Sequence, residues 1–325
     1  MSLKDFVYKK RREVRKRGVT KAAHGAVLEA MVKGSSFVAE SRQRAVWDDD
    51  WDVCLVLDAT RLDTWRKVAG EYDDGGSEWS LGSASPQWIT KTFAEEYRDE
   101  WEDAAYVTGN PFSGRDPRDE ERDWRWIRRP VYPLAERGLG YLDEVWRDCW
   151  GVDGIETVDP GMLTDRGMWA HQEHDRTIVH YMQPHVPFRS RPEWFSGWGG
   201  TDKFGKLQGE VDPWLRLRDE EFDTGEFMEA YEDNLRWVLS EVERWRTETD
   251  ANILVTADHG NAKGEWGQWG HPPGSANPYI RKVPWCRLRG VGEPVDVDRP
   301  DNCPNVGENA DDDIQDRLRH LGYKE

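Results

Sequence analysis

Asp258 and His259 stand side by side where an apolar run, Ile253–Val255, gives way to the segment VTADHGNAKGEWGQWGHP. A carboxylate and an imidazole at the end of a buried strand would be a costly way to fill a core, because each loses its hydration there. As oxygen and nitrogen donors they suit a divalent ion such as Zn²⁺ or Mn²⁺. The pattern recurs upstream: DVCLVL, Asp52–Leu57, is short and apolar and ends at a second acid, Asp58. By itself Asp58 is read equally well as a turn cap or a partner of Arg61. Together with Asp258 and His259 it completes a set of metal donors, so the expected chemistry is metal-assisted.

The elements that must position these side chains are legible from hydrophobic spacing. Thr177–Met182 predicts a third buried strand, followed by His185 between Pro184 and Pro187, and Tyr106–Phe112 predicts another, ending in a Gly-Asn-Pro turn that contains Asn110. Pro86 opens a helix over Gln87–Arg98, since proline suits a first turn, and Ser83 and Ser85 sit at its entrance. Glu226–Trp245 carries an apolar stripe, Phe227, Tyr231, Leu235, Val238, Leu239, Val242 and Trp245, with acids and arginines opposite. It leads into the Ile253–Thr256 strand, and Val283–Leu288 reads as one more. Strands alternating with helices predict an α/β fold with a largely parallel central sheet, whose ligands bind beyond the carboxyl ends of the strands. Asp58, His185 and Asp258 all fall at such ends, whereas His180, inside its strand, is read as a core histidine.

Three regions follow: a basic, partly helical arm over residues 1–44, a main α/β domain over 45–290, and an acidic tail over 291–325 closed by a short helix at Asp312–Leu321. Gly114–Arg129 is read as an exposed excursion and Arg189–Asp223 as a long loop walling the site. Trp194, Trp198 and Trp214 in that loop are read first as packing and second as a surface for stacking on a sugar.

The chain has 63 acidic and 45 basic residues and a formal charge of −18, which disfavours nucleic-acid binding because phosphate neutralisation needs a basic face. The spread acidity and the scarcity of lysine beside arginine resemble proteins of salt-loving archaea, whose charged surfaces stay hydrated in concentrated salt. The basic arm is the one segment suited to peripheral contact with acidic lipid head groups. The 4 cysteines lie far apart with no CxxC pair and are read as buried free thiols. With no membrane-length apolar run and no signal-peptide pattern, a cytoplasmic location is expected.

The run DHGNAKGEWGQWGHP resembles the DHG and GH segment of the sulfatase branch of the alkaline phosphatase superfamily, VHYMQPHVPF resembles its PHxP segment, and LVLDATRLDTW resembles its first strand. The blocks occur in the family's order between Asp52 and Trp285. The resemblance implies an alkaline phosphatase-like three-layer sandwich, with Asp58, Asp258 and His259 as metal ligands. It implies that His185 and His271 contact the oxygens of a phosphate or sulfate ester, an anionic substrate carried on a glycan or envelope polymer. Arg61 and Asn110 are further substrate-contact candidates. The nucleophile is expected on the helix after the first strand. Ser83 is preferred, because relatives with a threonine nucleophile place an aromatic five residues later, where Trp88 stands, and Ser85 is the alternative.

Two departures narrow the expectation. Formylglycine sulfatases carry CxPxR or SxPxR, absent from this chain, and two-metal relatives use an Asp-xxx-His pair, matched only by Asp316 and His320 in the tail. One divalent ion is therefore expected, Mn²⁺ or Zn²⁺ (Ca²⁺ in a true sulfatase). The resemblance is strongest to the one-metal phosphotransferases, among them lipoteichoic-acid synthases and phosphoethanolamine transferases. The rival readings are a true sulfuric ester hydrolase and an inactive relative that binds an anionic ligand or partner.

Overall fold

The computed structural model describes residues 41–114, 134–195, 213–298 and 300. Most of the basic arm and the Asp312–Leu321 helix lie outside them. Within them a seven-stranded sheet runs in the order β2-β9-β6-β1-β5-β3-β4. Its strands are β1 (Val53–Leu57), β2 (Ser77–Trp79), β3 (Ala105–Thr108), β4 (Tyr141–Glu144), β5 (Thr177–Tyr181), β6 (Asn252–Thr256) and β9 (Lys282–Arg289). β6, β1, β5, β3 and β4 are mutually parallel, while β9 runs antiparallel to both β6 and β2. β7 (Ala262–Lys263) and β8 (Trp269–Gly270) form a separate small ribbon. The largely parallel α/β sheet expected from the sequence is thus the observed one.

Alternation along the central strands builds two cores. Val53, Leu55 and Leu57 of β1 face one side with Val179, Tyr181, Ile253 and Val255. There they meet helices α1 (Leu62–Val68), α3 (Pro160–Glu173) and α4 (Thr224–Glu248). Cys54, Val56, Tyr106, Ile178 and Leu254 face the other side, against Trp88 and Ile89 of α2 (Ser85–Thr92). Because side chains alternate faces along a strand, even-numbered positions of β1, β5 and β6 point toward α2. The result is three layers, helix on sheet on helix, with both sheet faces covered.

Several elements differ from the sequence reading for identifiable reasons. α4 is longer than its apolar stripe, since Asp223 caps it by accepting a hydrogen bond from the Glu226 amide at 3.0 Å. The Gln87–Arg98 helix is shorter: α2 ends at Thr92, and separate short turns follow at Glu95–Tyr97 and Arg98–Trp101. α3 gave no periodic signal because the face it buries includes Thr164, Arg166 and Gly167. Part of the Arg189–Asp223 loop is helical, at Pro213–Arg218. Trp214 there is buried with Phe227 and Tyr231, and Trp194 stacks on Phe227, so both serve as packing; Trp198 lies outside the described residues. Cys54 and Cys286 are free and buried, but Cys149 is disulfide-bonded, a pairing that spacing along the chain does not encode.

The expected boundaries are blurred by contacts. The Arg44 amide bonds the Trp79 carbonyl at 2.9 Å, and Val295 and Val297 bond back to Glu248 and Gln172. Among the described residues no helix is long and apolar enough to cross a membrane.

Gly167 brings α3 onto the sheet: an added Cβ would meet Val179 Cγ2 at 2.6 Å and Trp245 Cζ2 at 3.0 Å. Gly167→Ala is therefore expected to lower unfolding stability by about 1–3 kcal/mol through overpacking. Denaturant titration checks this, and an unchanged midpoint would contradict the close approach.

Candidate active site

Asp58 and Asp258 lie one residue past β1 and two past β6, neighbours in the sheet, and both side chains are fully buried. His259 turns back onto them: its Nε2 is 3.7 Å from Asp58 Oδ1 and 3.3 Å from Asp258 Oδ2. One donor atom from each of the three residues falls within 4.8 Å of the others. The His259 Nδ1 donates to the Gly260 carbonyl at 3.0 Å, which leaves the Nε2 lone pair facing the carboxylates. Asp58 Oδ1 and Asp258 Oδ2 are buried without a hydrogen-bond partner. Two orphaned carboxylate oxygens converging on an imidazole lone pair are what a divalent cation requires, so these residues fit the metal.

The remaining carboxylate oxygens are held by the chain. Asp258 Oδ1 accepts from the backbone amides of Ala59 at 3.0 Å and His259 at 2.8 Å, and Asn110 Nδ2 donates to Asp58 Oδ2 at 2.8 Å. Burial, and the Asp258 charge beside it, push the Asp58 carboxyl well above its ordinary range. Burial pushes Asp258 up as well, but His259, His180 and the Ala59 amide outweigh it and hold that carboxyl low. Burial also lowers His259, His185 (to about 4) and His271, the last further depressed by its two histidine neighbours. Neutral imidazoles therefore line the cleft.

Ser85 opens α2, and its Oγ lies 3.3 Å from His259 Nε2 and 3.5 Å from Asp58 Oδ2. Ser83 is turned elsewhere. Its Oγ contacts Gln87 Oε1 and the Pro272 carbonyl, each at 3.2 Å, and accepts from the Ser275 amide at 3.1 Å. The preference for Ser83 is thus not matched by the geometry: Ser85 meets the donor set, and Ser83 ties the α2 entrance to the loop after His271. The proline at 86 is the physical reason, since it fixes the helix start so that Ser85 is the first-turn hydroxyl.

The two other histidines converge as expected. His185 and His271 have ring centroids 5.4 Å apart, and His271 lies 4.3 Å from His259. Asn261 Oδ1 receives the His271 Nδ1–H at 2.7 Å, and the His185 carbonyl is held by Asn234 Nδ2 of α4 at 3.1 Å. Gln183–Pro184 and Val186–Pro187, which flank His185, are both cis.

Arg61 and Asn110 are both engaged within the chain. The buried Arg61 guanidinium forks onto Asp63 at 2.9 and 2.6 Å, and also bonds the Asn261 carbonyl at 2.6 Å and Glu265 at 2.8 Å. Those bonds tie the start of α1 to the DHG loop. Asn110 serves Asp58, and its Oδ1 accepts from the Phe112 amide at 3.0 Å. Sequence reasoning missed Tyr231, whose hydroxyl donates to the Ala59 carbonyl at 2.5 Å and accepts from the Arg61 amide at 2.9 Å. It also missed His180, whose Nε2 lies 3.7 Å from Asp258 Oδ2. The parity of His180 with Ile178, on the α2 side of the sheet, was the available signal.

No family model matches the chain, and no curated protein matches it. Several solved structures are similar to it, three of them as follows. The soluble domain of lipooligosaccharide phosphoethanolamine transferase A from Neisseria meningitidis matches at 13% identity and a TM-score of 0.42, over 72% of this chain and 75% of that one. The integral membrane form of that protein matches at 12% and 0.40, with 75% of this chain covering 49% of its length. The C-terminal periplasmic domain of a phosphoethanolamine transferase from Campylobacter jejuni matches at 16% and 0.39, over 78% of this chain and 82% of that one. At these identities and scores none of the likenesses assigns a reaction to this chain.

Arg61→Met should cost about 3 kcal/mol, the low end for a broken buried ion pair, because Asp63 keeps contact with water. Burial raises the Asp63 and Glu265 carboxyls, but Arg61 outweighs it and holds both below their ordinary values. Their contribution is therefore present above the ordinary carboxylate range and lost as pH falls through and below it. Thermal melts across acid pH would check this. A variant as stable as wild type at neutral pH would show that Arg61 is not a brace.

Proposed function

We propose that this chain is a metal-dependent phosphotransferase or phosphate-ester hydrolase that uses Ser85 as its nucleophile. The observation that carries the reading is the meeting of Ser85 Oγ with Asp58 and His259 at 3.5 and 3.3 Å, at the start of an eight-residue helix, beside carboxylate oxygens that have no other partner. Asp58, Asp258 and His259 would hold one divalent ion, Mn²⁺ or Zn²⁺, which supplies charge stabilisation to the ester and to the attacking alkoxide. The N-terminus of α2 favours the same alkoxide through the helix dipole. Ser85 Oγ gives up its proton and attacks phosphorus in line with the leaving oxygen, which departs as the alcohol. The phosphoserine is then relieved by water or by an acceptor alcohol, which regenerates Ser85. His185 and His271 line the face where the non-bridging oxygens would sit; with Nδ1–H of each committed to the Val186 carbonyl and to Asn261 Oδ1, an anionic ester at Nε2 would favour protonation there, which would turn them into donors to those oxygens.

A phosphate rather than a sulfate ester is supported by the plain serine at the helix start and by the absence of CxPxR and SxPxR from the sequence. A carrier such as a glycan or envelope polymer is part of the proposal, with the acceptor left to the paired assay below. The resemblance of the DHG, PHxP and first-strand blocks to the sulfatase branch of the alkaline phosphatase superfamily supports the same chemistry. An inactive, ligand-binding relative is the weaker reading, because buried orphan carboxylates are expensive to keep without a cation.

Metal analysis of purified protein is expected to find about one Mn²⁺ or Zn²⁺ per chain, and Asp258→Asn is expected to lose both the ion and turnover. Retention of full activity by that variant would exclude the site. Paired assays with aryl phosphate and aryl sulfate should show phosphate turnover that falls by about 10³-fold or more in Ser85→Ala, as for a lost nucleophile. Ser83→Ala should keep the chemistry and lose stability instead. Sulfate-only turnover, or an active Ser85→Ala, would overturn the assignment.

A further inference from the structure

His180 is buried without a hydrogen-bond partner on Nε2, and that atom points at Asp258 Oδ2, which also has none. Its other nitrogen, Nδ1, is 2.8 Å from the Tyr106 hydroxyl. Upstream the polar contacts continue along one face of β3. Thr108, two residues on along that face, accepts the Asn110 amide on its Oγ1 at 2.9 Å. The Asn110 side chain ends on Asp58 at 2.8 Å. Polar side chains from β3, the turn after it and β5 therefore lie between the two aspartates.

The acceptor at one end sets the directions. An ionised carboxylate only accepts, so Asp258 Oδ2, 3.7 Å from His180 Nε2, favours a hydrogen on that nitrogen. Nδ1 then carries the lone pair, and the Tyr106 hydroxyl 2.8 Å away donates to it.

We propose that the Tyr106 hydroxyl locks His180 in its Nε2–H tautomer, so that His180 acts as a positioning residue for the Asp258 carboxylate at the metal. The inference deepens the metal reading of the site and rests on it. With the proton on Nε2, His180 offers Asp258 Oδ2 a donor that holds the carboxylate plane while its lone pairs face His259. With the proton on Nδ1, two lone pairs would confront each other in a dry pocket, and the carboxylate would turn away. Outer partners of this kind orient metal ligands and tune how tightly the metal is held. Trp88, edge-on to the imidazole at 5.3 Å, closes the remaining side of the ring.

The test has two parts, each with a readout besides turnover. Long-range proton–nitrogen correlation on metal-free wild type, labelled at histidine, should show the His180 proton on Nε2 with Nδ1 unprotonated, and Tyr106→Phe should let the Nδ1–H form appear. Calorimetric titration with Mn²⁺ and Zn²⁺ should find Tyr106→Phe and His180→Gln about 10–100-fold weaker in metal affinity, the range for lost outer partners. A purely structural role would lower the melting temperature of the metal-free variants and leave that affinity within about twofold of wild type. That result, or a wild-type His180 protonated on Nδ1, overturns the proposal. Should wild type bind no divalent ion, the functional reading fails instead, and the tautomer measurement still judges the Tyr106–His180 contact.

Discussion

The structure depends on the cost of placing two carboxylates, Asp58 and Asp258, beside each other in a fully dry place. Like charges at such a distance cannot both remain ionised without a counter-charge, and burial removes the water that would screen them. In the chain alone the conflict is resolved by raising Asp58 and lowering Asp258. A divalent cation would reverse the first shift and satisfy both orphan oxygens. Everything around the pair is arranged to hold it in that unfavourable state.

That arrangement is backbone as much as side chain. Ala59, directly after Asp58, has a φ of +64°, a left-handed conformation that a residue with a Cβ adopts only when its surroundings impose it. The Tyr231 hydroxyl and Asn261 Nδ2 both bond its carbonyl, while its amide caps Asp258. Gly260 has no room for a side chain, since a Cβ there would sit 2.5 Å from the Tyr279 carbonyl oxygen. The strained turn and the close approach together let two strand ends present their acids to one point. Arg61 is the buried cation that makes this possible, binding Asp63 and Glu265 and so tying the α1 entrance to the DHG loop.

The opposite wall is built from loops that the sheet alone would leave loose. Asn234 of α4 bonds the His185 and Pro187 carbonyls, fixing the loop between the two cis prolines. Ser83 links the start of α2 to the segment after His271. The histidines are thereby held close to Ser85 without belonging to its helix. Ser83 thereby fastens the entrance of the helix that Ser85 opens.

Composition along the chain alone made β1, β3, β5, β6 and β9 legible, with the ends at which Asp58 and Asp258 would appear, but not β2, β4 or α3. It could do so because a fully buried strand is a local composition, and an acid at its end is conspicuous against it. Even the role of His180 was implicit, since Asp58, His180 and Asp258 share the parity of residues facing α2. Only the tertiary structure decided which donors each acid meets, that Arg61 ties α1 to the DHG loop while Asn110 bonds Asp58, and that Ser85 rather than Ser83 lies beside Asp58 and His259. Those choices depend on side-chain direction across contacts 27 to 204 residues apart in the chain, from Ser85 with Asp58 to Arg61 with Glu265. A hydrogen bond across such a separation is set by packing geometry, which no local pattern of residue types encodes.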